Sequence, residues 1–277
     1  MNQRLKSILL RTARIFFLLC LTFYLGICGF MGFSQRSLIY RQQIYSPAEV
    51  ADKARAAGLE RWANSDGQSI GFKKLSPTQP ADGTVLLFYG NASTATASAH
   101  YADDIQKAAN FDVFILEYPG YEDRPGDPTQ EKLFTAADEA LQMLPTNQPI
   151  YVVGESLGSG VASYLAGTHP DKISGMILIS PFNSLTAVAQ YQYPWLPVWF
   201  LLVDRFPSET YLRHYRGKVG VTVDGNDTVV PEKFGLRLYE TYSGPKKLWL
   251  FPDGTHCQIT EQQQEFWKAA VAYLRLK

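Results

Sequence analysis

Six continuous apolar runs dictate the architecture of this chain: TVLLFY (84–89), DVFILE (112–117), IYVVG (150–154), GMILIS (175–180), KVGVTV (218–223) and KKLWLF (246–251). Each has the length of a buried strand, so cover on both faces of the sheet is expected. Between or after them lie helix-like stretches at 95–109, 129–144, 157–166, 231–242 and 258–275. Strands of this kind separated by helices imply an α/β fold, a mostly parallel sheet with helices on both faces. Upstream, 47–57 reads as a helix, and LERWAN and QSIGFKKL read as a hairpin-like pair joined by Ser65-Asp66-Gly67. In open sheets of this class functional groups gather beyond the carboxyl ends of the strands, so the chemistry is expected in those loops.

A different environment is written into residues 15–33, IFFLLCLTFYLGICGFMGF, which run without a charge. At about 1.5 Å per residue they cross most of a ~30 Å hydrocarbon layer. A cleaved signal peptide would have an apolar region of only about 7–15 residues ending in an A-x-A-like site, which is missing. Nor does a small residue precede Cys20 or Cys28, as a lipoprotein signal requires. The expected organisation is a basic tail (1–14), one transmembrane anchor (15–33) and one α/β domain (34–277). Arg4, Lys6, Arg11 and Arg14 precede the run, against Arg36 and Arg41 shortly after it. That bias favours a cytoplasmic N-terminus and a domain outside the cytoplasm.

With no acid before residue 34, the domain carries 22 basic against 26 acidic side chains. It has no basic stripe for a nucleic-acid partner. Cys257 is its single cysteine, so it forms no internal disulfide, and no CxxC or His/Cys cluster is spaced for zinc. Neither metal nor cofactor is expected.

After the third run comes Gly154-Glu155-Ser156-Leu157-Gly158, a GxSxG. The letters alone are weak evidence, since glycines also serve ordinary strand-to-helix turns. The context is stronger: IYVVG ends a strand and LGSGVASYLAG begins a helix, the setting in which a tight turn exposes a serine. A serine hydroxyl is a poor nucleophile unless a base takes its proton and an acid orients that base. Of four histidines, His100, His169 and His214 read as surface or capping residues. His256 follows the strand KKLWLF through a turn and precedes the final helix, so it is the expected base. For the acid, the loop DGNDTVVP offers Asp227 in the turn and Asp224 at the strand end, with Asp253 as a further alternative. Asp227 is preferred, which gives the chain order nucleophile Ser156, acid Asp227, base His256. Charge developing on a substrate carbonyl oxygen needs preorganised donors. The N–H of Leu157 and, from the small polar loop after TVLLFY, the N–H of Asn91 are the candidates. N-x-S/T sequons at Asn91 and Asn226 fall in these same loops and read as coincidental, because a glycan there would obstruct the site.

These residues resemble the α/β-hydrolase superfamily, specifically its membrane-anchored branch related to serine-aminopeptidase-like hydrolases and protein depalmitoylases. The resemblance runs from about Gln35 onward and rests on QRSLIY, FYGNAS, LEYPGYEDRPGDPT, GESLGSG, SPFNSL, DGNDTVVP and DGTHC. It implies Ser156 as nucleophile, Asp227 as acid, His256 as base, Asn91 and Leu157 as oxyanion donors, and Tyr118 as a residue lining the pocket near the oxyanion site. Two loops depart from the family's usual form. Tyr89-Gly90 stands where His-Gly is usual, and Asp224-Gly225 opens the acid loop.

The expected function is a serine hydrolase that cleaves an ester or thioester through an acyl-enzyme. A peptidase or amidase of the same fold is the alternative, and a membrane-tethered binding protein without activity a lesser one. The connection 181–215 is far longer than a crossover needs, rich in aromatics and broken by Pro194 and Pro197. It predicts a small helical lid over Ser156, lined by Tyr191, Trp195 and Trp199, that favours apolar, lipid-like acyl groups.

Overall fold

The computed structural model describes residues 3–257 and 263–275. Chain order gives α1 (Gln3–Ile39), α2 (Pro47–Ala56), β1 (Glu60–Ala63), β2 (Ser69–Lys74), β3 (Gly83–Phe88), α3 (Ala99–Ala108), β4 (Phe111–Leu116), α4 (Gln130–Met143) and β5 (Ile150–Glu155). There follow α5 (Leu157–Thr168), β6 (Ile173–Ile179), α6 (Leu185–Gln192), α7 (Val198–Leu201), α8 (Ser208–Leu212), β7 (Lys218–Asp224), α9 (Glu232–Thr241), β8 (Lys246–Phe251) and α10 (Gln263–Arg275).

One eight-stranded sheet has the order β1-β2-β4-β3-β5-β6-β7-β8. From β4 to β8 all neighbours are parallel, while β1–β2 and β2–β4 are antiparallel. Every residue of β3 and β4 is buried, which is why these runs show no alternation. The helices fall into packed groups, α3 with α10, and α4 and α8 against α5 with α9 beside α8, as a two-sided sheet requires. Phe134 of α4 stacks on Tyr164 of α5 with ring centroids 3.9 Å apart.

The helix expected over 95–109 begins only at Ala99. Before it the threonines compete for the backbone: Ala97 N–H donates to Thr94 Oγ1 at 3.3 Å, and Thr96 Oγ1 donates to Glu122 instead of supporting a helical turn. Of the helix expected over 258–275, residues 258–262 lie outside the described residues. The 181–215 connection does become short helices, α6, α7 and α8, with Pro194, Pro197 and Pro207 between them.

The apolar run 15–33 lies within α1, which extends beyond it at both ends and is long and apolar enough to cross a membrane. Most of its large apolar side chains, such as Phe16, Phe17, Leu19 and Phe23, point away from the protein.

Candidate active site

Ser156 stands between the last residue of β5 and the first of α5, with φ 47° and ψ −114°. A residue with a side chain adopts such angles only where its surroundings force them. Here Ser156 N–H donates to the Ile179 carbonyl at 2.9 Å, pinning the turn to β6. The flanking glycines make the turn possible. A Cβ on Gly158 would lie 2.1 Å from the Phe88 carbonyl oxygen, and one on Gly154 would lie 2.7 Å from Ala162 Cβ and from the Gly158 oxygen. The helix thus packs onto β3 at a distance only glycine permits.

His256, five residues beyond β8, reaches Ser156 Oγ with Nε2 at 2.9 Å, while its Nδ1 lies 2.6 Å from Asp227 Oδ2. Of the three candidate aspartates, Asp227 is the one that bonds the imidazole. Its other oxygen accepts the N–H groups of Val229 and Val230, both at 2.8 Å, so the carboxylate is held at both ends. With Nδ1–H donated to Asp227, Nε2 presents a lone pair to the serine hydroxyl.

Asp224 is 1% exposed and faces elsewhere. Its Oδ2 accepts from Ser180 Oγ at 2.6 Å, and that hydroxyl in turn accepts the N–H of Cys257 at 3.1 Å. Burial pushes the Asp224 carboxyl up, with the nearby Asp227 charge adding to the shift and the Ser180 hydrogen bond opposing it. Asp224 therefore braces the segment carrying His256 through Ser180, whose own φ is 44°. Sequence reasoning passed over Ser180; its place at the end of a buried strand, inside SPFNSL, was the available signal. Asp253 is exposed.

Leu157 heads α5, where the first N–H groups have no partner within the helix. The loop after β3 faces it: a Cβ on Gly90 would lie 3.4 Å from Ser156 Cβ. Asn91 follows, its Nδ2 donating to the Ile39 carbonyl at 2.9 Å and its carbonyl accepting the Tyr121 hydroxyl at 2.9 Å. The amide nitrogen of this sequon is thus committed to the fold.

Tyr118 is fully buried, so its place is behind this loop and not on an open pocket wall. Its hydroxyl donates to the Tyr89 carbonyl at 2.8 Å, and the Tyr89 hydroxyl donates to Glu117, whose other oxygen takes the Ala95 N–H at 2.9 Å. Tyr89 is therefore the brace of the loop it opens, standing where His is usual. Burial, then the Glu122 charge, pushes the Glu117 carboxyl well above its ordinary value. Glu117 was a functional support that sequence reasoning did not single out.

The other histidines are occupied or outside. His100 Nδ1 lies 3.1 Å from the Ala97 carbonyl, His169 Nε2 lies 2.8 Å from Asp138, and His214 is exposed.

The aromatics expected over Ser156 lie more openly. Tyr191, Trp195 and Trp199 are 51%, 52% and 62% exposed. Tyr191 packs edge-on against Phe234, with Lys233 Nζ 3.4 Å from its ring centre. Trp195 and Trp199 belong to the stretch beside α1, because the buried contacts there are taken by Leu196, Val198 and Leu202. Gln192 of α6 donates to the Thr228 carbonyl at 3.0 Å, so the segment is tied to the acid loop.

A sheet of this order with a serine elbow is the frame of an α/β hydrolase, and the pattern described as "alpha/beta hydrolase fold" matches residues 83–221. The chain is 31% identical over 238 residues to the uncharacterized protein Rv2307c of Mycobacterium tuberculosis, covering 83% of each. It is 28% identical over 216 residues to the lysophosphatidylserine lipase ABHD12 of Danio rerio, covering 69% of this chain and 55% of that one. Among solved structures, Est1E from Butyrivibrio proteoclasticus with bound ferulic acid superimposes with a TM-score of 0.64 at 17% identity, over 77% of this chain and 98% of that one. The chain belongs to the α/β-hydrolase fold family, in its membrane-anchored branch, and is a hydrolase.

Proposed function

We propose that this protein is a membrane-anchored serine hydrolase that cleaves esters or thioesters of apolar acyl groups. The observation carrying the reading is the unbroken relay from Asp227 through His256 to Ser156, at 2.6 and 2.9 Å, on a strained strand-to-helix turn.

In this reading Ser156 Oγ attacks the acyl carbon as His256 Nε2 takes its proton, and Asp227 holds the tautomer and stabilises the imidazolium. The N–H groups of Asn91 and Leu157 receive the oxyanion. Collapse of the tetrahedral adduct breaks the bond to the alcohol or thiol, which leaves with the proton from His256. Water, deprotonated by His256, then attacks the acyl-serine and releases the acid, restoring Ser156. The relatives that support an apolar, lipid-like substrate include one named a lysophosphatidylserine lipase. Residues 15–33 supply the anchor, with the N-terminus in the cytoplasm and the domain outside it.

A fluorophosphonate probe tests the nucleophile. The full chain is expected to label, and Ser156→Ala to lose both labelling and turnover. Equal labelling of the variant, or a basic or N-terminal peptide outperforming every ester, would overturn the reading.

A further inference from the structure

Helix α1 does not leave the domain as a free tether. From Tyr24 onward it is bonded along the segment 193–204. The Tyr24 hydroxyl donates to the Trp195 carbonyl at 2.9 Å, and Gln35 takes the Val203 N–H at 2.7 Å while giving to the Leu201 carbonyl at 3.1 Å. Asp204 accepts from Arg36 at 3.3 Å and from Tyr40 at 3.0 Å. Between these ties Ile27, Cys28 and Met31 pack on Leu196, Val198 and Leu202.

Tyr24 stands nine positions before Phe33, the end of the uncharged run, which is about 14 Å along a helix axis. If residues 15–33 fill the hydrocarbon layer, whatever is bonded to Tyr24 lies at Tyr24's depth. Segment 193–203, YPWLPVWFLLV, is chemically suited to that depth, for it carries no charge. Its outward side chains are large and apolar: Trp199 is 62%, Phe200 86% and Val203 62% exposed. A soluble surface rarely leaves such a continuous patch in water.

The backbone gives an independent argument. Irregular chain is tolerated at membrane depth only when its polar groups are satisfied within the protein. Here side chains reach in to do so. Gln190 donates to the Leu196 carbonyl at 3.1 Å, and Arg205 donates to those of Trp199 and Leu202 at 3.0 and 3.1 Å. With Tyr24, Gln35 and the further contacts of Gln190 to the Tyr193 and Pro194 carbonyls, seven carbonyls of the segment have side-chain donors.

We infer that residues 193–203 form a wedge that enters the same lipid leaflet from which α1 emerges, so that the bilayer is the partner of this surface. This rests on the anchor reading above. An apolar cavity of about 80 Å³ lies between wedge and helix, lined by Met31, Leu38, Ile39, Leu196 and Leu202 among others. Ile39 is also the residue whose carbonyl holds Asn91. By the same rise Ile39 stands about 9 Å beyond Phe33 along the helix axis, so the site's edge is set just outside the hydrocarbon layer that the wedge enters.

The test uses the full chain in vesicles of phosphatidylcholine brominated on its acyl chains, with unbrominated vesicles as reference. Trp195 and Trp199 are two of five tryptophans; Trp62 and Trp267 are buried and Trp249 lies on β8. Tryptophan emission should fall in brominated vesicles, by on the order of two fifths at most if the five emit alike, and the loss should disappear in Trp195→Phe/Trp199→Phe. No quenching, or equal quenching in the double variant, overturns the wedge. A chain that is unquenched and dimeric would instead place a second copy on the patch, and the wedge falls equally. Flotation with the vesicles reads the anchor separately, and neither measurement depends on Ser156 being catalytic.

Discussion

At the scale of single residues, the two carboxylates of the acid loop separate by what each touches. Asp227 bonds the imidazole directly, so Asp227→Asn should leave the fold intact and lower kcat by about 10⁴-fold through the wrong tautomer. Asp224 acts through Ser180 on the Cys257 N–H. Asp224→Asn should therefore lower turnover much less, a difference read from kcat in both variants. Should the order of the two effects be reversed, the roles must be exchanged. Glu117 supplies a pH dependence whose sign is fixed. Its folded carboxyl titrates above the ordinary 4.5, so the native state keeps a proton that the unfolded chain has released. Stability then falls as pH rises from about 4.5 through the folded value. Glu117→Gln, which keeps one acceptor and one donor edge beside Tyr89 and Ala95, should flatten that part of the denaturation-against-pH curve. An unchanged slope would show that Glu117 does not carry it.

At the scale of elements, the turn from β5 into α5 depends on how closely the helix approaches β3. Gly158→Ala puts a methyl group against the Phe88 and Tyr89 carbonyls, backbone that cannot yield. It should cost about 3 kcal/mol or more. Gly160→Ala meets side-chain atoms of the buried Phe206 at 2.9 and 3.1 Å, contacts far less close than 2.1 Å to a backbone oxygen, and should cost less. Thermal denaturation of the two variants checks the ranking. The long connection shows the opposite economy. Prolines divide it into α6, α7 and α8, and it is held by Gln192 on the acid loop at one end and by α1 along its middle.

At the scale of the molecule, α1, the 193–204 segment and the loop after β3 form one continuous structure, with Asn91 joined to Ile39 and Asp204 joined to Arg36 and Tyr40. Acyl preference belongs to this scale. Across a p-nitrophenyl ester series, kcat/KM should rise from acetate toward medium chains by up to ~0.8 kcal/mol per buried methylene. A flat series in the parent enzyme would remove the acyl-pocket reading.

The sequence by itself determined the strands, the elbow and the long apolar helix, because these are set by contiguous residues. An uninterrupted apolar run needs burial wherever it is placed, and GxSxG between a strand and a helix fixes its own turn. It also singled out His256, since among the four histidines this one follows a strand through a turn and precedes the final helix. What it left open were choices between residues equally suited in chemistry but differing in direction. Asp224 and Asp227 are three positions apart, and only the packing of β7 against β8 and β6 sends one toward His256 and the other toward Ser180. Likewise the aromatic letters of 181–215 do not say which of them face inward. Tertiary contact with α1 decided that, burying Leu196 and Leu202 while leaving Trp195 and Trp199 outside. The physical reason is the same in both cases: side-chain direction in a loop is set by partners distant in sequence, which no local pattern records.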